Sequence, residues 1–391
     1  MPGGGKRLPA RGSLIRLAVE SRLTLPPILC PMSTHPRTGK HFHWLPCLLG
    51  TACALAGCAD PPPRETPADA LIKVERVEPF NGGFELVDSI VLEQRPDAPI
   101  VRVSGLARRD DGTLALADVS EGNVKLFTPG GRLLRIIGRK GRGPGEFIAP
   151  RHLAFAPDGR LLVVDGQLGR LSRFTPDGDL EQTVPLEAGF PITGFHMLPD
   201  GQYAVAAPSS RKGRTIHVVD TAGRSLDGFI SDQQTRPRIE PDRDEWGYIA
   251  GVFFAGDGAS LAVTFTLSDS LWQVDAATGA TTAVRLMVPG YVEPTPPKSR
   301  IGSPQEISAW SASFHTTSKV FLSRDLLLVP FVRGVLNYGD PLILAIRSPD
   351  GAWRAYDQAP PPVLVSGDTV YTLLHTQEST RMVLGLHRPR P

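Results

Sequence analysis

The chain of 391 residues is long enough to bury a large core, and its 42 Lys and Arg nearly balance 40 Asp and Glu. Seven basic groups and only one acid fall in residues 1–57, so the remainder carries 35 basic against 39 acidic residues, a net charge of −4; that excludes an electrostatic nucleic-acid footprint. All four cysteines, Cys30, Cys47, Cys53 and Cys58, lie in the first 58 residues, so the body must hold together by packing without an internal disulfide.

Residues 1–31 are rich in Pro, Gly and Arg without periodicity, and Met32 offers a better start than Met1. Trp44 to Gly57 is an uncharged run of 14 residues with Arg37 and Lys40 upstream. A bilayer span needs about 20 apolar residues, whereas a basic region, a short apolar run and small residues make a secretory signal. The run ends in Leu55-Ala56-Gly57-Cys58, which resembles the lipobox of bacterial lipoproteins. That resemblance implies cleavage before Cys58, acylation of its sulfur, and anchoring in the cell envelope, with Ala59 pointing to the outer membrane or its periplasmic face.

Residues 58–83 read as a tether because of Pro61-Pro62-Pro63, Pro67 and scattered charges. Phe84 to Leu92 reads as a strand with no partner turn beside it. From Gly105 to Gly178 the same pattern occurs twice at an offset of 47 residues: Asp111-Gly112 matches Asp158-Gly159, Ala117-Asp118 matches Val164-Asp165, and Phe127-Thr128-Pro129 matches Phe174-Thr175-Pro176. Four apolar runs separated by turn signals, at a period of 40 to 50 residues, predict one propeller blade per repeat. Paired bends continue at Gly201 and Gly223, Gly258 and Gly279, and Asp325 and Gly351, with a single bend at Gly367. The last unit therefore has three strands, and the early strand at 84–92 is expected to pair near Met382 to His387 and supply the fourth. The predicted fold is an all-β six-bladed propeller of four-stranded blades over 84–391, closed by its N-terminal strand.

Gly138 to Phe147 with Pro150, the Asp158-Gly159 bend, Val164-Asp165 and Phe174 with Pro176-Asp177-Gly178 resemble NHL-type repeats, in particular those of bacterial six-bladed propeller lipoproteins. The likeness is good over 103–180, moderate at 194–229 and confined to turns thereafter, so it speaks to fold more than to function. One insertion, at about 287–317, breaks the pattern. Ser303, Pro304 and Glu306 form a capping box, with Ile307, Trp310 and Phe314 on one helical face, as a rim cap or a lid.

Gly138 to Gly145 is glycine-rich and basic, but lacks the Gly-Lys-Ser/Thr ending of a phosphate loop and does not open a helix. Asp118 and Asp165 stand where a carboxylate can accept from loop amides, with a catalytic pair as the sharper reading. His152, His196, His315 and His375 could approach one funnel, as metal-binding histidines do in some propeller lyases, although no two have the spacing of a local ligand pair. No Gly-x-Ser-x-Gly nucleophile motif occurs. The loop-bearing face is expected to carry Phe147, Arg151, His152, His196, Trp246, Tyr248, Trp310, His315, Arg333, Tyr338 and His375, aromatic and cationic with few acids. That composition favours a binding or scaffold module for a small molecule, glycan or partner protein, with the membrane as a second partner through Cys58. No cofactor is predicted. The alternative is a propeller hydrolase or lyase with a metal in the central channel.

Overall fold

The computed structural model describes residues 70–207, 213–231, 251–295, 297, 303–317, 319–334, 342–374 and 381–390. The chain begins with two short strands, β1 (Ala70–Lys73) and β2 (Val77–Pro79), a single helical turn α1 (Phe80–Gly83) and the long strand β3 (Phe84–Val91). Blade one follows as β4 (Val103–Arg108), β5 (Leu114–Asp118), β6 (Asn123–Phe127) and β7 (Leu133–Ile137). Blade two is β8 (Pro150–Phe155), β9 (Leu161–Asp165), β10 (Arg170–Phe174) and β11 (Leu180–Pro185), and blade three is β12 (Gly194–Met197), β13 (Tyr203–Ala206), β14 (Arg214–Val219) and β15 (Ser225–Ser231). Blade four comprises β16 (Val252–Asp257), β17 (Ser260–Phe265), β18 (Ser270–Asp275) and β19 (Thr281–Met287); the helix α2 (Pro304–Ser311) comes next. In blade five the inner position is shared by β20 (His315–Thr316) and β21 (Phe321–Leu322), ahead of β22 (Leu327–Arg333), β23 (Leu342–Arg347) and β24 (Trp353–Ala359). Blade six is β25 (Pro362–Ser366), β26 (Thr369–Leu374) and β27 (Val383–Pro389), completed by β3.

Closure runs as the sequence predicts: β3 pairs antiparallel with β27 from Phe84 opposite Pro389 to Val91 opposite Val383. The Arg390 amide, which donates to the Gly83 carbonyl at 2.8 Å, extends the seam. Six four-stranded blades thus form a ring in which the inner strands β4, β8, β12, β16, β21 and β25 meet in turn and β25 returns to β4.

The physical reason for the ring lies in the middle strands, which are apolar on both alternations. In β9, Leu161 and Val163 face a core shared with Ala115, Ala117 and Val124 of blade one, while Leu162 and Val164 face a core shared with Tyr203, Val205 and Val219 of blade three. A sheet covered on both faces requires this pattern. The same sharing recurs at every junction, ending with Leu106, Leu116 and Phe127 of blade one against Tyr371, Leu373 and Leu384 of blade six. Pro-Asp-Gly bends join the strands; Asp158 accepts from the Arg160 amide at 3.0 Å, and Gly159 takes the positive φ of 84° that other residues resist.

Residues 70–79 depart from their reading as tether. β1 adds in parallel to the outer edge of blade four, Ala70 opposite Val284, and β2 to that of blade five, Val77 opposite Ala355. Prolines and charges dominate the preceding stretch, but Ile72, Val74 and Val77 supply enough apolar surface to dock, and Val74 is buried in the core between these blades. The insertion carries the expected capping box: Ser303 Oγ accepts from the Glu306 amide at 3.3 Å, and the Glu306 carboxylate accepts from the Ser303 amide at 2.9 Å.

Candidate ligand-binding face

One end of the central channel gathers the connections into each blade and the junctions between second and third strands. Two carboxylates organise it. Asp118, at the end of β5, accepts from the amides of Val101 (2.7 Å), Arg102 (3.2 Å), Ser120 (3.1 Å) and Glu121 (3.3 Å). Asp165, at the end of β9, accepts from Ile148 (2.7 Å), Ala149 (3.1 Å), Gln167 (2.9 Å) and Leu168 (2.9 Å). Each therefore ties the segment leading into an inner strand to the loop leaving the second strand, and neither side chain is exposed. Four backbone amides thus occupy the oxygens of each carboxylate, which makes both of them fixed struts between loops. Behind Asp118 stands Lys125, wholly buried, whose ammonium donates to Asp118 at 3.3 Å and to Asn123 Oδ1 at 2.8 Å; burial pushes its pKa down.

His152 sits on β8 near this end. The residue as a whole is half-buried, but its Nε2 is shut off from solvent and has no hydrogen-bond partner. Loss of hydration at the ring, with the charges of Arg151 and Lys319 nearby, pushes its pKa down to about 3, against a smaller opposing effect of the Ile192 carbonyl. The imidazole is thus neutral at physiological pH. Arg151 is exposed, its chain running 3.2 Å from where a Cβ on Gly166 would lie. Lys319, in the segment between β20 and β21, is one of two residues at this end, with Arg102, that the sequence reading missed: a solitary cation beside a strand carries no pattern. Arg102, exposed beside the Asp118 cradle, joins the same end.

His196 and His315 each have a partner of their own. His196 lies towards the opposite end, where Nε2 stands 2.9 Å from the Gly258 carbonyl and the ring fills the space a side chain on Gly256 would need. Burial lowers its pKa. His315 is buried and pins the insertion: its Nδ1 accepts from the Val292 amide at 2.9 Å, and its amide donates to the Val292 carbonyl at 3.0 Å. Burial first, then the Arg333 charge, lowers its pKa; Arg333 is its β-pair partner and exposed. Trp310 Nε1 donates to the Thr295 carbonyl at 2.8 Å, and the ring packs edge-on against Phe314. Phe147, read from sequence as a face residue, is completely buried against Phe174, because Gly138 leaves room for its ring. Trp246, Tyr248, Tyr338, His375 and Cys58 lie outside the described residues. Among the described residues, no group of three or more His, Cys, Asp or Glu side chains is placed to hold a metal ion.

The comparisons agree with this architecture. The sequence profile of the family DUF5128, described as a 6-bladed beta-propeller, matches residues 73–237. No curated protein matches. Among solved structures, a candidate exported protein of Bacteroides fragilis superposes with a TM-score of 0.59 at 12% identity, covering 82% of this chain and 99% of that one. A DUF4221 family member from Bacteroides vulgatus gives 0.57 at 12% identity, covering 79% and 99%. At these identities the likeness defines the fold: the chain is an all-β six-bladed propeller.

Proposed function

We propose that this protein is an envelope-anchored lipoprotein whose propeller serves as a binding module, with an acidic sugar or similar small anion seated at the channel end marked by Arg102, Arg151, His152 and Lys319. The observation that carries the reading is the fate of the carboxylates. Asp118 and Asp165, the acids best placed for chemistry, are consumed by four backbone amides each, while cations stand beside a neutral histidine. Positive charge at a channel end whose two best-placed carboxylates are already taken up by backbone amides suits recognition better than hydrolysis. The anchoring half rests on the apolar run before Cys58; a lipidated cysteine holds a protein on a bilayer through about 0.8 kcal/mol per buried methylene. Among the described residues no helix is long and apolar enough to cross a membrane, and the Bacteroides fragilis relative is described as exported.

The test uses the full chain, in membranes and then in detergent. Cys58→Ser should move the protein from the membrane to the soluble fraction, and glucuronate should raise the melting temperature more than glucose does. Arg151→Gln with Lys319→Gln should remove that difference. Unchanged fractionation sinks the anchor, and equal responses to both sugars sink the anion site. A stoichiometric metal lost on replacing His152 would overturn the binding reading in favour of an enzyme.

A further inference from the structure

At the opposite end of the channel, a cleft of about 400 Å³ opens between blades four, five and six, lined by Gly256, Asp257, Leu322, Arg324, Asp325 and Val365, with the Ser323 and Ser366-Gly367 turns at its rim. Three turns from inner to second strand meet here. Six turn aspartates among the described residues are spent on their own turns: Asp111, Asp158, Asp200, Asp220, Asp275 and Asp350 each accept from the amide two residues onward, at 2.9 to 3.0 Å. Asp257 and Asp325 do not. Neither carboxylate accepts a hydrogen bond, and neither they nor Arg324 enter an ion pair among the described residues, although all three line one cleft. The Asp325 carboxylate lies 3.6 Å from where a Cβ on Gly367 would stand, so it reaches across from blade five to the turn of blade six. The volume falls within the range of about 300 to 1,000 Å³ typical of small-ligand sites.

We infer that this cleft is a second binding site, for a small zwitterion with a free ammonium and a free carboxylate, such as a dipeptide. The charges decide the class. A simple anion would be drawn to Arg324 but opposed by two carboxylates, and a simple cation would face the reverse. A ligand with both charges satisfies both sets, its ammonium towards Asp257 and Asp325 and its carboxylate towards Arg324. Leu322 and Val365 offer an apolar floor for short side chains. The cleft is open to water, so each ion pair contributes modestly, and selectivity between charged and blocked ligands is the informative reading.

Calorimetric titration of the full-length protein in detergent with alanyl-alanine, N-acetyl-alanyl-alanine and alanyl-alanine amide tests this. The free dipeptide should bind saturably, and each blocked form should bind about fivefold more weakly, the factor for one exposed ion pair. Arg324→Gln should erase the preference over the amide but keep the preference over the N-acetyl form, and Asp257→Asn with Asp325→Asn should do the converse. Arg151→Gln, at the other end of the channel, should change neither. Absence of saturable binding, equal binding of all three ligands, or selectivity that survives the substitutions overturns the inference. Both variants alter exposed turns, and unchanged circular dichroism and melting confirm that a lost preference is not a lost fold.

Discussion

Asp118 and Lys125 form a buried ion pair whose two members do different work, and the internal repeat supplies the comparison. In blade two the place of Lys125 is taken by Ser172, also fully buried, whose Oγ lies 3.2 Å from Thr183 Oγ1. Asp165 nevertheless keeps its four amides with no cation behind it. The carboxylate is therefore the structural requirement and the lysine an addition. Asp118→Ala should orphan four amides and cost about 3–5 kcal/mol, whereas Lys125→Met should cost about 1 kcal/mol or less, because Asp118 retains its backbone donors. Urea unfolding of the two variants measures this; a larger loss from Lys125→Met would show that the ammonium, and not the amides, neutralises the carboxylate. The matched Ala117-Asp118 and Val164-Asp165 make the carboxylate legible from sequence. Lys125 was not, since nothing local marks a lysine in a middle strand as buried.

Among the elements, the strap formed by β1, β2 and β3 crosses the outer edges of three consecutive blades, and its parts differ in what they support. Blades four and five already have their four layers without β1 and β2, whose side chains are mostly exposed. Blade six has only β25, β26 and β27 until β3 completes it. Removing residues 70–79 should lower the melting temperature while leaving a monomer. Removing residues 70–91 should expose β27 as an unpaired edge, the condition that promotes strand-to-strand association, and size-exclusion chromatography should show aggregates. Equal behaviour of the two truncations would argue against β3 as the closing strand. β3 was legible because a strand lacking a nearby turn must pair at a distance and the last blade lacked one strand. β1 and β2 were not, because parallel pairing on an outer edge leaves no turn signal and needs only one buried face. The capping box of α2 is likewise local and readable, but its anchorage through Trp310 to the Thr295 carbonyl depends on where an insertion folds back.

Across the whole molecule, the shared cores between adjacent blades bring histidines from several blades into the same electrostatic state. His152 in blade two, His196 in blade three, His315 in blade five and His387 in blade six all have pKa values pushed down, with burial the leading cause in each. The His387 ring is held 3.0 Å from Thr372 Oγ1 and meets Phe80 edge-on at 5.2 Å, so it too belongs to the closing seam. In the unfolded chain these rings titrate near 6.5. Between that value and the lower folded values the unfolded state binds more protons, so stability is full above about pH 6.5 and is lost as the pH falls, by up to about 1.4 kcal/mol per pH unit for each histidine kept neutral. For His152 that window extends down to about pH 3. The histidine positions are visible in the sequence, but their shared neutrality is not, because it arises from packing between blades rather than from neighbours along the chain. Urea midpoints should therefore fall between pH 7 and pH 5, and the fall should be shallower in His152→Gln, which removes the most strongly depressed of the four. A midpoint that stays level from pH 7 to pH 5 would mean that these rings protonate freely in the folded ring, and the burial of His152 Nε2 would then be wrong.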